Sequence, residues 1–226
     1  MDLKHIDEEL KPRLRENDFN DSKERLERTA YLNNFKLSLL TKRHCNDCSS
    51  YKNNKIVLPT GSIFSSVMFI LGAPTENEGT THTVCFDSGG RILDVIIDKL
   101  VDKSIIKRDN IYMTNIIKCY EKCINTQDLF ICGVNNIQKE INLVKPDKII
   151  AFGDLSISVL NSINSGKEIN IEAEQVHGKV IDMTLCNQNI KVLQTYNMDI
   201  LIKNTGSLYK FYKDIIWKEI YSFLKQ

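Results

Sequence analysis

The sequence lacks a surplus of charge of either sign. Its 226 residues include 30 Lys and Arg against 29 Asp and Glu, which gives a formal net charge of +1 at pH 7. A protein that binds nucleic acid through its overall charge is strongly basic, so such a partner would have to be met here by a local basic surface. Two groups of residues are candidates: Lys42, Arg43, Lys52 and Lys55, and Lys203, Lys210, Lys213 and Lys218. Scattered lysines are also typical of an ordinary solvated surface.

Long apolar runs and a signal peptide are missing as well. Stretches such as Val67–Leu71 are far shorter than the ~20 residues that a membrane-spanning helix requires. The amino-terminal residues alternate between acidic and basic side chains, without the apolar segment of an export signal. Hydrophobic residues make up 42% and charged residues 26% of the chain, as in soluble globular proteins. We therefore expect a soluble, cytoplasmic protein, and we expect a monomer.

The seven cysteines are not expected to form a disulfide framework, because their number is odd and the cytosol keeps thiols reduced. Metal binding is the leading alternative. Cys45 and Cys48 form a C-x-x-C pair, which lets two thiolates reach one metal centre. Cys119 and Cys132 would complete a four-sulfur site, and Cys123 could replace Cys132. By count alone the set suits zinc or an iron–sulfur cluster, and unrelated thiols are the remaining alternative.

Apolar segments of strand length alternate with segments of helical periodicity. The predicted strands are Val67–Leu71, a strand ending near Asn115, Lys148–Phe152 and Ile190–Thr195. The predicted helices contain Ile92–Leu100, Ile131–Val144, Ile157–Leu160 and Leu208–Leu224. Such alternation predicts an α/β fold, in which helices cover both faces of a central, mostly parallel sheet and form a three-layer α/β/α sandwich.

The chain contains no internal repeat, low-complexity tract or linker that would divide this α/β region. Residues 1–43 are predicted to be helical, in two pieces with a break near residues 17–20. Residues 44–66 are predicted to be a loop region. We therefore expect an N-terminal helical extension over residues 1–43 and a single domain over residues 44–226.

One strand exit combines two kinds of chemistry. Asn115 lies where a predicted strand ends, and Cys119 follows four residues later. In α/β proteins, ligand-contacting residues gather at the carboxyl ends of the strands. An ordinary polar turn is the alternative interpretation of Asn115.

Six motifs follow one another in a fixed order over roughly residues 44–224. They are Cys45-x-x-Cys48, Val67–Pro74, Tyr112–Cys119, Cys132, Pro146-x-x-Ile149-Ile150-x-x-Gly153 and Val192-Leu193-x-Thr195-Tyr196. This ordered series resembles the family 4 uracil-DNA glycosylases. The resemblance implies the uracil-DNA glycosylase fold, a 4Fe-4S cluster on Cys45, Cys48, Cys119 and Cys132, and DNA as the partner. It also implies base excision repair, in which the bond between uracil and deoxyribose is hydrolysed and an abasic site remains.

The resemblance assigns Asn115 to base recognition and the Gly72-Ala73-Pro74 loop to the substrate pocket. The Asn115 amide both donates and accepts hydrogen bonds, so it can pair with the 4-carbonyl and the 3-imino group of uracil. Gly72 occupies the position of a family acid, so one carboxylate is lost. Glu78 falls on a second acidic position and is a candidate for orienting water, with an ordinary solvated glutamate as the alternative.

Further departures from the family pattern affect its remaining site residues. Phe86 lies one residue beyond the base-stacking phenylalanine position, which Cys85 occupies, and a core residue is the alternative role for Phe86. Asn197 replaces the histidine that supports the leaving group, and its neutral amide would still donate a hydrogen bond there. His177 occupies a family arginine position near the site. Lys203 matches a basic residue of the DNA-side loop.

We therefore expect a uracil-DNA glycosylase of altered catalytic machinery. Two alternatives remain open at this stage. The protein could bind DNA or a base without hydrolysis, because the family acid and histidine are replaced, or it could excise another damaged base.

Overall fold

A computed structural model describes residues 16–41, 55–85, 87–120, 129–166 and 177–226. Within these ranges the helices are α1 (Glu16–Leu40), α2 (Glu76–Thr81), α3 (Ser88–Asp102), α4 (Asn135–Val144), α5 (Asp154–Ser165), α6 (Asp199–Lys203) and α7 (Gly206–Lys225). The strands are β1 (Thr60–Gly61), β2 (Val67–Leu71), β3 (Ile111–Asn115), β4 (Lys148–Phe152), β5 (Lys179–Leu185) and β6 (Gln188–Thr195). A 3₁₀ turn over Arg108–Asn110 precedes β3, and a π-helical segment over Leu129–Val134 precedes α4.

In the part of the chain that the structure describes, the sheet has six strands in the order β1-β3-β2-β4-β6-β5. The four central strands are parallel, and the edge strands β1 and β5 run antiparallel to their neighbours. The predicted α/β fold with a mostly parallel sheet is therefore confirmed. Because β2, β4 and β6 are parallel neighbours, their carboxyl ends meet at one edge of the sheet.

Two hydrophobic clusters cover the two faces of the sheet. On β2, Met68 and Ile70 belong to the cluster that includes residues of α1, α4 and α5. Phe69 belongs to the opposite cluster, which includes residues of α3 and α7. Side chains alternate between the faces of a strand, so a strand apolar on both faces must be covered twice. This arrangement is the predicted three-layer sandwich.

Helix α1 packs on the first of these clusters through Leu32, Phe35 and Leu39. The Arg28 guanidinium also donates hydrogen bonds to the carbonyls of Ile63, Leu143 and Val144, at distances from 2.7 to 3.1 Å. The helix is continuous through residues 17–20, so the predicted break there is wrong. The Asn and Asp residues of that stretch each cost at most about 0.7 kcal/mol relative to Ala, which is too little to end a helix.

The edge strand β5 was not predicted from the sequence. It pairs with β6 through a turn in which both Cys186 and Asn187 have positive φ angles, 52° and 63°. Two such residues form the tight turn that suits the twist of a hairpin. One backbone N–H of β5, that of Thr184, donates to Asn164 Oδ1 of α5 at 2.8 Å.

The described ranges contain no helix that combines the length and the apolar character needed to cross a bilayer.

Candidate active site

A cavity of about 630 Å³ opens at the carboxyl edge of the sheet. It lies where β2, β4 and β6 end and where α5 and α6 begin. Its described lining includes Gly72, Ala73, Gly153, Asp154, Leu155, His177, Gln194, Tyr196, Asn197, Asp199, Lys203 and Tyr212. Parallel α/β sheets bind ligands at this edge, and the volume is that of a small-molecule site.

The structure brings some of the predicted site residues into this cavity and leaves others outside its described lining. Gly72, Ala73 and Asn197 line the cavity, as do His177 and Lys203. Three predicted residues, Pro74, Glu78 and Asn115, are buried beside the cavity-lining loop or strand ends without belonging to that lining. Phe86 lies outside the described residues.

Asn115 is the last residue of β3 and is only 3% exposed. It pairs in register with Leu71, and the next backbone N–H, that of Ile116, donates to the Gly72 carbonyl at 3.0 Å. Asn115 Oδ1 is buried and has no hydrogen-bond partner among the described residues. Leaving a buried acceptor unpaired costs about 1–3 kcal/mol. Such an atom is typical of a site where a ligand supplies the donor.

Asn197 lies in the turn between β6 and α6 and is exposed to the cavity. Its Oδ1 accepts from the backbone N–H of Asp199, and its Nδ2 lies 3.4 Å from Asp199 Oδ2. Gly153 allows this turn to approach β4, because a Cβ at position 153 would lie 2.9 Å from Asn197 Cβ. Gly153 also has a φ of 80°, which other residues rarely adopt.

His177, Thr195, Tyr196 and Tyr212 line one part of the cavity, and Glu219 of α7 supports them from behind this lining. The His177 ring stacks on the Tyr196 ring with centroids 4.1 Å apart, and Tyr212 meets Tyr196 edge-on at 5.3 Å. His177 Nδ1 lies 2.7 Å from Glu219 Oε1. Glu219 Oε2 also accepts from the Thr195 hydroxyl at 2.7 Å. The Glu219 carboxylate therefore fixes both the His177 ring and the end of β6.

Glu78 organises the loop that follows β2. Its Oε2 accepts from the backbone N–H of Thr75 at 2.7 Å, while the Thr75 hydroxyl accepts from Glu78 N, which is a capping box at the start of α2. Its Oε1 accepts from the backbone N–H of Cys85 at 2.6 Å. Burial raises the pKa of the Glu78 carboxyl, and the backbone hydrogen bonds oppose this effect. At 4% exposure, Glu78 is not an ordinary solvated glutamate, so that alternative is wrong.

The model of the "Uracil DNA glycosylase superfamily" matches residues 58–220, which include β2, β3, β4, β6 and the whole cavity. The chain belongs to the uracil-DNA glycosylase superfamily. The Type-4 uracil-DNA glycosylase of Thermotoga maritima is 25% identical over 169 residues, which cover 73% of this chain and 81% of that protein. Segregation and condensation protein B of Clostridioides difficile is 24% identical over 164 residues, which cover 72% of this chain and 83% of that protein. The predicted resemblance to family 4 is confirmed, and the chain is a divergent member.

Two of the four predicted cluster ligands of this glycosylase-superfamily chain lie in the described residues. Cys119 and Cys132 are both buried. Cys132 Sγ lies 3.3 Å from the Lys118 backbone nitrogen and 3.6 Å from Asn136 Nδ2, so two N–H donors point at this sulfur. Such donors favour a thiolate, the form that binds metal. Hydrogen bonding at Cys132 is thus compatible with a metal-binding thiolate, and the described residues contain no group of three or more potential metal ligands.

The remaining predicted ligands, Cys45 and Cys48, and the alternative ligand Cys123 lie outside the described residues.

Sequence reasoning missed several residues that line the cavity of this superfamily member. Asp154 and Gln194 belong to strand exits that were predicted correctly, so the signal of a polar residue at a carboxyl end was present. Tyr212 carries no such signal, because it reaches the cavity from the middle of α7. The contact between His177 and Glu219 joins residues 42 positions apart, and no local pattern in the sequence indicates it.

Proposed function

We propose that the protein is a uracil-DNA glycosylase of base excision repair. It hydrolyses the N-glycosidic bond of deoxyuridine in DNA, releases uracil and leaves an abasic site. The observation that carries this proposal is the buried, unpartnered Oδ1 of Asn115, next to a cavity that holds a second amide, Asn197. Within the superfamily to which the chain belongs, this pair of amides suits recognition and release of one base.

The Asn115 amide matches the hydrogen-bonding edge of uracil. Its Oδ1 would accept from the 3-imino group, and its Nδ2 would donate to the 4-carbonyl. Cytosine presents the opposite order, an acceptor at position 3 and a donor at position 4, and would leave both groups of Asn115 unsatisfied. Because an unpaired buried polar group costs about 1–3 kcal/mol, a fixed Asn115 amide would disfavour cytosine. The target nucleotide must be extruded from the DNA to reach this depth.

Asn197 supports the leaving group in this proposal. Negative charge builds on the 2-carbonyl of uracil as the glycosidic bond breaks, and Asn197 Nδ2 would donate a hydrogen bond to it. A neutral amide stabilises such charge less than a charged donor does. Losing one well-placed donor costs on the order of 10²–10³ in rate, so we expect slow hydrolysis instead of none. Glu78 remains a candidate for orienting water, although both of its oxygens accept from backbone N–H groups.

A 4Fe-4S cluster held by Cys45, Cys48, Cys119 and Cys132 belongs to the proposal, with zinc as the alternative metal. The N–H donors around Cys132 support a thiolate at that position. The cluster's contribution would be structural, since metal binding supplies folding free energy. No step of the hydrolysis requires it.

DNA would approach the cavity across α6 and the start of α7. Lys203 lines the cavity and is exposed, and Lys210 is exposed one turn into α7. This local basic surface compensates for the near-neutral total charge of the chain. We also propose that the protein is monomeric and cytoplasmic. Residues 1–43 would be an N-terminal helical extension of the domain at residues 44–226.

A single-turnover assay on oligonucleotides with one uracil tests the proposal. Protein purified without oxygen should release uracil from single- or double-stranded DNA, and Asn115→Asp should suppress release, because a carboxylate places an acceptor against the 4-carbonyl. Asn142→Asp is the matched control, since it makes the same change at an exposed residue of α4. If the wild type binds DNA but releases no uracil, the alternative of a binding protein replaces this proposal. Release of a different base would favour the third alternative.

A further inference from the structure

Hydrolysis of a glycosidic bond requires a water molecule that is held in place and that gives up a proton. A carboxylate near neutral pH is the usual acceptor for that proton. The described lining of the cavity contains two carboxylates, Asp154 and Asp199. These two carboxylates are therefore the candidates within the described lining for the group that orients water in the proposed reaction.

The two carboxylates differ in their partners. Asp199 Oδ2 lies 3.4 Å from Asn197 Nδ2, and the Asp199 backbone N–H donates to Asn197 Oδ1. Asp199 is thus occupied with the amide that would face the leaving group. The Asp154 carboxylate has no hydrogen bond or ion pair with any described residue. Glu78, the acid that the sequence indicated, uses both oxygens on backbone N–H groups and is absent from the described cavity lining.

The backbone places Asp154 in the lining of the cavity at the start of α5. Asp154 is the first residue of α5 and follows directly after Gly153, where β4 ends. Its neighbour Leu155 lies opposite Gly72, because a Cβ placed on Gly72 would be 3.8 Å from Leu155 Cδ2. Gly72 itself contributes no side chain to the cavity. Gly72, at the end of β2, and Asp154, after the end of β4, thus line the same cavity, and of these two residues only Asp154 carries a carboxylate.

From this arrangement we infer that Asp154 is the catalytic base that activates water in the reaction, an inference that rests on the proposed function. The Asp154 carboxylate accepts one proton from water as the water oxygen bonds to C1′ of the deoxyribose. The bond between C1′ and N1 of uracil breaks, and its electron pair leaves with uracil as an N1 anion. Asn197 donates to the 2-carbonyl of that anion. Uracil then takes a proton from solvent, and Asp154 returns its proton to solvent.

Four single substitutions to the isosteric amide test the assignment. They are Asp154→Asn, Asp199→Asn, Glu78→Gln and, as a charge-matched control far from the cavity lining, Asp182→Asn, whose side chain is 82% exposed on β5. Single-turnover release of uracil measures chemistry. Binding to an oligonucleotide with 2′-fluoro-2′-deoxyuridine, whose glycosidic bond resists cleavage, measures recognition. Asp154→Asn should reduce the single-turnover rate by about 10²–10³-fold and leave the dissociation constant unchanged within about twofold.

Placing a carboxylate at a second position of the cavity provides another test. A variant that fails to fold cannot regain activity in this way. Gly72 has no positive φ, and a Cβ atom placed there would have Leu155 Cδ2 as its one neighbour within 4 Å among the described residues, at the ordinary contact distance of 3.8 Å. Gly72→Glu in the Asp154→Asn background should restore at least about tenfold of the lost rate. Gly72→Gln in the same background, which has the same shape without the charge, should restore none.

The outcomes separate this inference from the function on which it rests. If the wild type releases uracil and Asp154→Asn does so at the same rate, the assignment of Asp154 is overturned and the proposed function stands. If Glu78→Gln loses the activity and Asp154→Asn keeps it, Glu78 is the acid instead. A wild type that releases no uracil overturns both.

Discussion

Lys118 Nζ lies 2.5 Å from Glu140 Oε2, and the two side chains are 3% and 0% exposed. The same ammonium group donates to the Asn115 carbonyl at 2.6 Å and to the Thr114 hydroxyl. Glu140 Oε1 accepts from Thr114 and from the Tyr112 hydroxyl at 3.0 Å. Burial and the nearby Glu140 raise the pKa of Tyr112 well above its ordinary value, so its hydroxyl stays a donor. This buried ion pair thus holds the end of β3, where Asn115 is located, against α4.

Removing one partner of the pair should be costly. Lys118→Met should lower the free energy of unfolding by about 3–5 kcal/mol, because it leaves the Glu140 carboxylate buried without its counter-charge. Adding Glu140→Gln removes that charge and keeps an acceptor for Tyr112, so the double variant should be more stable than Lys118→Met alone. Urea denaturation measures both. Lys191→Met is the control, since the 3.6 Å pair of Lys191 with Asp182 is exposed and worth at most about 1 kcal/mol. Equal losses at Lys118 and Lys191 would contradict the role given to the buried pair.

The amide at position 197 should set the rate of hydrolysis without abolishing it. Asn197→Ala should be slower than the wild type, because it removes the donor to the 2-carbonyl of uracil. Asn197→His should be faster by up to ~10²-fold, since imidazole is a stronger hydrogen-bond donor for a developing anion. Single-turnover rates on a uracil oligonucleotide check the order of the three proteins. A histidine variant no faster than the alanine variant would show that this position does not face the leaving group.

Iron content distinguishes the proposed cluster from the zinc alternative. Protein purified without oxygen should be brown and contain about four irons per chain. Cys132→Ser should lose iron and stability, because metal binding contributes to folding. Cys123→Ser is the matched variant. Retention of iron in Cys132→Ser with its loss in Cys123→Ser would move the fourth ligand to Cys123, and a colourless protein with one zinc would reject the iron assignment.

Affinity for DNA should fall as salt rises, despite the near-neutral total charge. Each lysine that contacts phosphate adds about one unit to the slope of log affinity against log salt concentration. Lys203→Gln should therefore reduce that slope by about one. Lys107→Gln should leave it unchanged, because Lys107 is exposed before the amino end of β3, away from the carboxyl edge of the sheet. Tight binding that does not depend on salt would exclude this surface as the DNA contact.

The sequence predicts the centre of this fold better than its edges. The β2 and β4 predictions match the structure to the residue, because continuous apolar runs are typical of strands buried on both faces. Edge strand β5 alternates between buried and exposed residues over only part of its length, and its turn lacks the usual glycine. Helix α2 is short and polar. The Glu78 hydrogen bond to Cys85, which ties α2 to the following loop, is not visible in local periodicity.

The site divides in the same way. Gly72, Ala73 and Asn197 are recognisable because they lie in ordered motifs at strand ends, and the structure brings these three into one cavity. The contact of His177 with Glu219 depends on how α7 crosses the end of β6, so it emerges only from the packed fold. Asp154 follows a predicted strand, so its position could be read from the sequence. The hydrogen bonds of the Glu78 and Asp199 carboxylates could not, and neither could the lack of a partner for the Asp154 carboxylate among the described residues.

The hydrogen bond from Thr184 to Asn164 has a consequence for behaviour at high concentration. An edge strand with free N–H groups can add a strand from a neighbouring molecule and so start aggregation. On β5, Asn164 already occupies one of these groups, and Lys179 and Asp182 place opposite charges along the same strand. The other edge, β1, is only two residues long. Both edge strands therefore disfavour pairing with a strand of a neighbouring molecule. This should limit aggregation of the protein at high concentration.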